Sequence, residues 1–536
     1  MQIKPRHPKR DINTEKNSTI LGTTDSVVQN PDEDLKRKKK ATYMLKTNES
    51  DSVRCSGIRT ESKYRSEFMR DRDRVLYSKA FRRLSGKTQV YMSGLDDHNR
   101  TRLTHTLEVS QIARSIAEPL KLDMNLVEAI ALGHDLGHTP YGHAGERTLH
   151  EIMTPNSSHI LGPICPLNRD DVPEAFKPFL GFKHNLQGLV VAMELEKNYG
   201  ELGLDLTNYT LYGIQSHSAH DYKMGRVHHH DSLGYYDSYL VRGCKDDKNT
   251  WAWSLESLLV SEADEIAQRH HDVEDALLGR LITREEVVTI IKECFGAFDP
   301  FKKLSTSEKR MLESPQAYDM GKFVSLISRI IVNLLVTRLT ETAAYHINQL
   351  GAKYGLTNAN FRDFRRNHDP DDGELSLVFS YSYTQAEHCS NNSFSSQIKK
   401  FANRIGQHVL SSYDIQKADA KGRYIIRKLF QAYYSTPQQL PDHCIYELLS
   451  TYYNLKEHKD LRLKTRNQFQ QWSESDLRTR AKYEGIGSIR QIFSDMFVDR
   501  TQTMPAEELI LMRVICNYIA GMTDTYAQKC YEELYG

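Results

Sequence analysis

The chain has no Cys-x-x-Cys pair. Its eight cysteines stand apart, at 55, 165, 244, 294, 389, 444, 516 and 530. Neither a zinc ribbon nor a disulfide framework is written into that spacing, and free thiols in a reducing cytoplasm are expected. No apolar run approaches the ~20 residues of a membrane span; the best stretch, Leu326 to Val336, is interrupted by Ser328, Arg329 and Asn333. No apolar segment follows the opening Met-Gln-Ile-Lys-Pro-Arg-His, so a secretory signal is not expected. Net charge is close to zero, with 71 Lys and Arg against 70 Asp and Glu. A polyanionic ligand must therefore be held by a local patch. Internal repeats and sustained heptads are also missing.

What is present suits a soluble, helix-rich protein: 26% charged residues and a mean hydropathy of −0.59. We expect a mainly α fold in three parts: a flexible polar and basic tail over 1–55, a helical catalytic core over 56–300, and a helical C-terminal region over 301–536 that completes the pocket. The tail carries the run Lys36-Arg37-Lys38-Lys39-Lys40, read as solvated chain or, alternatively, as a single-strand nucleic-acid contact. Phe68, Leu76, Ala80, Phe81 and Leu84 fall mostly at helical spacings. Arginines 70, 72, 74, 82 and 83, interleaved with Asp71 and Asp73, read as a salt-bridged helix face. Further helices are expected over Leu103–Leu120, with Leu107, Ile112 and Ile116 inward, over Leu126–Leu136, over His184–Glu196 and over Leu255–Leu278, the last strongly amphipathic. Residues 283–350 and the C-terminal part also read as helical. Residues 154–181 read as a loop or lid, 205–250 as irregular, and 360–372 as charged and broken by Pro370. Ser376–Thr384 is the one convincing strand, a minor β element, by its β-branched and aromatic alternation.

One segment sets the chemistry. Between His134 and Glu146 the chain places His134, Asp135, His138, His143 and Glu146, on a stretch that begins as an apolar helix and breaks at Gly137 and Pro140. A core helix has no use for such a set. A neutral imidazole beside a carboxylate suits one divalent cation, and His138, His143 and Glu146 follow where they can act on a substrate held there. His105 lies on the preceding helix. Asp264 sits among small and apolar neighbours in Ser261–Ala267, where a charge is costly unless paired or metal-bound. Two His and two Asp form a mixed N/O set suited to one Mn, Mg, Fe, Co or Zn ion per active site, with coordination positions left for chemistry.

His105, His134-Asp135 and Asp264 resemble the H…HD…D pattern of the HD phosphohydrolase superfamily. More narrowly, the chain resembles the deoxyguanosine triphosphate triphosphohydrolases. The matching blocks are Arg70-Asp-Arg-Asp-Arg74, Phe81-Arg-Arg-Leu84, Gly86-Lys-Thr-Gln-Val90, Arg100-Thr-Arg-Leu-Thr-His105, Gly133–Glu146, Gly181-Phe-Lys-His-Asn-Leu-Gln187, Ala263-Asp-Glu-Ile-Ala267, His271-Asp-Val-Glu-Asp275 and Tyr518-Ile-Ala-Gly-Met-Thr-Asp524. The resemblance implies an HD-domain helical core. It also implies metal-dependent hydrolysis of a deoxynucleoside triphosphate, dGTP above all, to deoxynucleoside and inorganic triphosphate by attack at the α-phosphorus. By the same resemblance His143 and Glu146 are the catalytic pair, with His138 lining the phosphates. Arg102 holds the α-phosphate, His184 contacts the phosphate region, Gln89 meets base or sugar, and Asp272 holds the 3′-hydroxyl.

The chain departs from the family at three places. Gln268 stands where a sugar-packing tyrosine is usual, and Ser216 where a triphosphate-binding lysine is usual, with Lys223 as a substitute. Asn517 and Thr525 flank the C-terminal block. These departures bear on substrate choice and keep two other readings open: an HD phosphohydrolase acting on another or a signalling nucleotide, and a nucleotide-sensing or single-strand-binding regulator. The cluster His217, His220, His228, His229 and His230 reads as a solvated loop or as a second metal site. The resemblance further implies a homo-oligomer, plausibly a hexamer, a possible allosteric nucleotide, no membrane partner, and a role in nucleotide-pool control or phage defence.

Overall fold

The computed structural model describes residues 40–58, 62–89, 100–154, 158–159, 162–163, 180–199, 202–217, 236–371, 373–456, 490 and 505–536. The first described helices are α1 (Glu67–Leu76), α2 (Lys79–Arg83), α3 (Arg102–Leu120), α4 (Met124–Gly133), α5 (Gly142–Ile152), α6 (His184–Val190) and α7 (Asn208–Ser216). Then come α8 (Asp237–Gly243), α9 (Leu255–Leu278), α10 (Arg284–Phe295), α11 (Thr306–Glu313), α12 (Met320–Tyr354), α13 (Phe361–Asn367), α14 (Gln385–His388) and α15 (Phe394–Leu410). The last four are α16 (Tyr413–Ser435), α17 (Asp442–Lys456), α18 (Pro505–Ala520) and α19 (Asp524–Tyr535). Among the described residues the only sheet is one two-stranded pair, with Ser158 opposite Pro163 and His159 opposite Gly162.

Local chemistry sets the helix ends that matter for the site. Thr101 caps α3 by accepting from the Thr104 N–H, and the helix stops at Lys121 in the left-handed region at φ 57°. Asp123 caps α4 by accepting from the N–H groups of Asn125 and Leu126. Ser254 and Ser257 form a reciprocal capping box at the start of α9. From these starts α3, α4 and α9 pack on one another, with α7 and α12 against them.

Two hydrophobic cores result. The first runs from Ala41 and Leu45 through α1–α4, α6, α7, α9, α10, α12 and α15 to Ile415. The second joins Tyr141, Leu149, Ile152 and Phe182 to α16–α19. Leu136 belongs to the first core and Tyr141 to the second. The chain therefore crosses between the two cores within the histidine-rich turn, and the turn's position depends on both.

Several expectations need correction. Ser376–Thr384 is no strand: a short 3-10 turn at Leu375–Leu377 leads into turns, and Tyr381 has φ 63°. Leu375, Leu377, Val378, Phe379 and Tyr381 are all buried, so the apparent alternation marks a wrapped segment, not a two-faced one. Residues 205–250 contain α7 and α8, and 360–372 contain α13. Every residue of α7 is buried, so no polar face advertises a helical period. Leu107 faces outward, at 51% exposure, while Ile112 and Ile116 are buried. Residues 41–55 of the expected tail are packed chain: Ala41 and Leu45 are in the core, and Glu256 accepts from the Thr47 N–H and hydroxyl at 2.9 and 2.8 Å. Helix α12 is long and apolar enough by composition to cross a membrane. Its Phe323, Ile327, Ile331, Leu335, Leu339, Ala343 and Ile347 form an i,i+4 stripe buried in the first core.

Asp524, at the head of α19, ties the second core to the turn. Its carboxylate accepts from the Thr88 N–H at 3.0 Å, from the Thr88 hydroxyl, and from the Tyr141 N–H at 2.9 Å. A second polar thread crosses the seam. Glu447 accepts from Asn517 at 3.0 Å, Asn517 accepts from Gln187 at 3.1 Å, and Gln187 accepts from the Tyr236 hydroxyl at 3.2 Å.

Two stability predictions follow from this seam. Asp524→Ala removes three hydrogen bonds to a buried carboxylate and should lower stability by about 2–4 kcal/mol, read from denaturant unfolding. Burial pushes the Glu447 carboxyl from 4.5 up to about 7, with the charge of Glu194 adding to it. The unfolded chain releases that proton near 4.5 and the folded chain near 7, so this group's contribution falls as pH rises between those values. Glu447→Gln should flatten that slope and be the more stable protein at pH 8; an unchanged slope would place the titration elsewhere.

Candidate metal centre and active site

Three helices deliver the candidate metal donors. His105 comes from α3, His134 and Asp135 from the turn that ends α4, and Asp264 from α9. His105, His134 and Asp135 are almost fully buried, at 1%, 0% and 2% exposure. His105 Nε2 lies 2.9 Å from Asp264 Oδ1, and His134 Nε2 lies 3.4 Å from Asp135 Oδ1 and 3.9 Å from Asp264 Oδ1. His134 Nδ1 is 2.7 Å from the Ala131 carbonyl. That contact needs a proton on Nδ1, so in the neutral ring Nε2 is a bare lone pair. Nε2 is buried and has no hydrogen-bond partner.

Both carboxylates are held toward the ionised form. Burial alone would raise the pKa of Asp135, but positive charge on His134, Arg102 and His105 holds it well below the usual range. Burial likewise opposes ionisation of Asp264, and the hydrogen bond from His105 with positive charge on His134 overrides it. A divalent cation would supply that positive charge in place of the ring protons and leave the rings neutral. An orphaned imidazole lone pair beside two ionised carboxylates is a donor set that fits a divalent cation. His105, His134, Asp135 and Asp264 are the residues that would hold it. Asp135 is oriented from behind: Arg102 holds its Oδ2 at 3.0 Å, and His138 Nε2 lies 3.3 Å from Oδ1.

A second group faces this one. Glu146, on α5, lies 3.2 Å from His143 Nδ1, 2.9 Å from His184 Nδ1 and 3.1 Å from Lys183 Nζ. Burial pushes its pKa up, and His184, His143 and Lys183 together hold it well below the usual range. His143 is exposed at the mouth, with 58% of its side chain accessible. His138 stacks on His184 with ring centroids 3.8 Å apart. Burial, and then the positive charge of Arg102, push its pKa well down, so it is neutral. Gly137 allows this stacking. A Cβ there would sit 2.1 Å from the His184 carbonyl oxygen and 2.3 Å from the Gly188 nitrogen, so only glycine lets the turn lie against the start of α6.

Of the other expected substrate residues, Arg102 is buried and committed through one nitrogen to Asp135, while its Nε has no partner. Gln89 Oε1 is buried and partnerless. Asp272 lies on α9 about two turns beyond Asp264, and burial, aided by the charge of Glu265, pushes it up to about 6. Lys223, His220 and His228–His230 lie outside the described residues.

Two residues without an assigned role in the sequence reading belong here. Lys183 pairs with Glu146. His217 caps α7, is buried, and lies with Nε2 3.3 Å from His184 Nε2; burial pushes it down to about 3. Its place in a His-rich stretch reads as a solvated loop or a second metal site, and the structure buries it at the end of α7.

The HD domain family matches residues 102–162, and the phosphohydrolase-associated domain family matches residues 469–533. A deoxyguanosinetriphosphate triphosphohydrolase-like protein from Ralstonia pickettii (strain 12J) is 32% identical over 378 residues, covering 70% of this chain and 79% of its own. One from Bordetella pertussis (strain Tohama I) is 34% identical over 383 residues, covering 70% and 81%. One from Jannaschia sp. (strain CCS1) is 28% identical over 485 residues, covering 89% and 91%. The chain belongs to the deoxyguanosinetriphosphate triphosphohydrolase-like family. It is accordingly an HD phosphohydrolase, and its candidate metal donors come from within and beyond the matched HD segment.

The candidate roles predict that the two groups of residues separate in metal binding. His134→Ala should weaken Mn²⁺ binding by at least ~100-fold, measured by equilibrium dialysis, whereas Glu146→Gln should bind Mn²⁺ nearly as the parent does. Equal loss in both variants would mean that Glu146 is a ligand.

Proposed function

We propose that the protein hydrolyses deoxynucleoside triphosphates, with dGTP favoured, to deoxynucleoside and inorganic triphosphate. The observation that carries this reading is the ionised Glu146, clasped by His143 and His184, facing a buried four-residue metal-donor set. A divalent ion bound there would polarise the α-phosphate and neutralise its developing charge. Water supplies the oxygen that bonds to the α-phosphorus, and the bond to the 5′-oxygen breaks. Glu146 accepts from the His143 Nδ1–H, which leaves the bare Nε2 to take a proton from the attacking water and pass it to the departing 5′-oxygen. Neutral His138 lines the phosphates without adding charge next to the ion.

The rest of the pocket serves binding. Lys183 and His184 meet the outer phosphates, and the unpartnered Arg102 Nε meets an α-phosphate oxygen. The bare Gln89 Oε1 accepts from base or sugar, and Asp272 holds the 3′-hydroxyl. Support for guanine comes from the printed names of the relatives. The seven described cysteines are free thiols, which suits a cytoplasmic enzyme. One observation favours a second reading, turnover of another nucleotide: Gln268 replaces the tyrosine that packs under deoxyribose in the family.

Product analysis by ion exchange separates these readings, using each dNTP and GTP with Mn²⁺ or Mg²⁺. Deoxynucleoside and intact triphosphate are expected, with kcat lowered ~10²–10⁴-fold in Glu146→Gln. GTP turnover at a comparable rate would favour the second reading; orthophosphate as the first product would contradict both the site of attack and the proposed activity.

A further inference from the structure

His105 has a neighbour on each ring nitrogen. Nε2 points to Asp264, and Nδ1 lies 3.3 Å from His271 Nδ1. The other nitrogen of His271 contacts the Glu108 carboxylate. Glu108 is in turn held by His270 Nε2 at 3.2 Å and by Arg100 Nε at 3.6 Å. His271 is 1% exposed. The arrangement reaches the candidate donors through His105, and nothing in the proposed reaction uses His271, Glu108, His270 or Arg100.

Proton bookkeeping leaves one consistent assignment. If His105 binds a cation through Nε2, its single proton sits on Nδ1. That N–H then donates to His271 Nδ1, which must be bare. His271 therefore carries its proton on Nε2, where Glu108 accepts it. The alternative is a second metal ion held by Glu108, His270 and His271, whose ligand atoms lie close together. It would need a bare Nε2 on His271 and hence a proton on Nδ1, aimed at the proton of His105. Two N–H groups cannot face each other at 3.3 Å without repulsion, so the relay and the second ion exclude each other.

We propose that His271 and Glu108 are positioning residues that set the tautomer, orientation and basicity of the metal ligand His105. The two histidine ligands are thereby unequal: His134 leans on a neutral backbone carbonyl, and His105 on a carboxylate through a second imidazole. Charge reaching His105 from Glu108 strengthens it as a donor, so the relay acts on metal affinity rather than on proton transfer to substrate.

The proposal rests on the metal-site reading, and the experiment distinguishes the two. Mn²⁺ affinity and stoichiometry are measured on the full chain by competition with a chelating dye, with thermal unfolding as the folding control. His271→Leu should weaken Mn²⁺ about 10–100-fold with one ion per chain in the parent. His271→Asn, which keeps an acceptor near the Nδ1 position, should recover part of that loss. Glu108→Gln, which keeps an acceptor but not the charge, should weaken binding less than His271→Leu. Parent-like affinity in folded His271→Leu overturns the relay. Two ions in the parent, one of them lost in His271→Leu, overturns it in favour of the second metal site. Absence of Mn²⁺ binding in the parent, matching His134→Ala, overturns the metal-site reading and the relay with it.

Discussion

A carboxylate held almost out of water is costly unless its charge is met on every side, and Asp135 is met on every side. Arg102 from the start of α3 takes one oxygen; His134 and His138 flank the other. Each partner comes from a different turn of chain, so satisfying Asp135 fixes the start of α3, the end of α4 and the turn beyond it together. Asp264 and His105 then close the set from α9 and the next turn of α3. The donor geometry is thus a consequence of one buried charge, and a bound cation completes rather than creates it.

The second dependence is on the junction between cores. The chain leaves the first core at Leu136 and enters the second at Tyr141. Gly137 lies against the backbone at the start of α6, and Tyr141, at φ 60°, opens α5. These two conformations set how far Glu146 and His184 stand from the metal donors. Asp524 reaches across from α19 to Thr88, next to Gln89, and to Tyr141, three residues beyond His138. The C-terminal helices therefore do more than add surface: they brace the catalytic turn from behind.

Much of this was legible in the residues, and the failures have physical causes. α9 was readable to its boundaries because one face is apolar. His134 and Asp135 stood out as candidate donors because histidine beside aspartate on an apolar helix has few other uses, and the fold brings His105 and Asp264 up to them. α7 was not readable, because a helix buried all round has no period to show. Ser376–Thr384 misled because alternation of β-branched and aromatic residues also suits a segment wrapped in core on all sides. The contacts of His271 and Lys183 were invisible for a different reason: they are made across helices, through residues distant in sequence, and no local pattern encodes such pairings.

The two sides of the site divide the labour of a phosphohydrolase. On the proposed reading, Asp135, Asp264 and two imidazoles gather charge suited to a cation, and Glu146 with its histidines handles protons. The most direct test of that account is hydrolysis of dGTP in ¹⁸O-water with mass spectrometry of both products. Attack at the α-phosphorus predicts one ¹⁸O atom in inorganic triphosphate and none in deoxyguanosine. Label in orthophosphate, in a nucleoside monophosphate or in deoxyguanosine itself would contradict it.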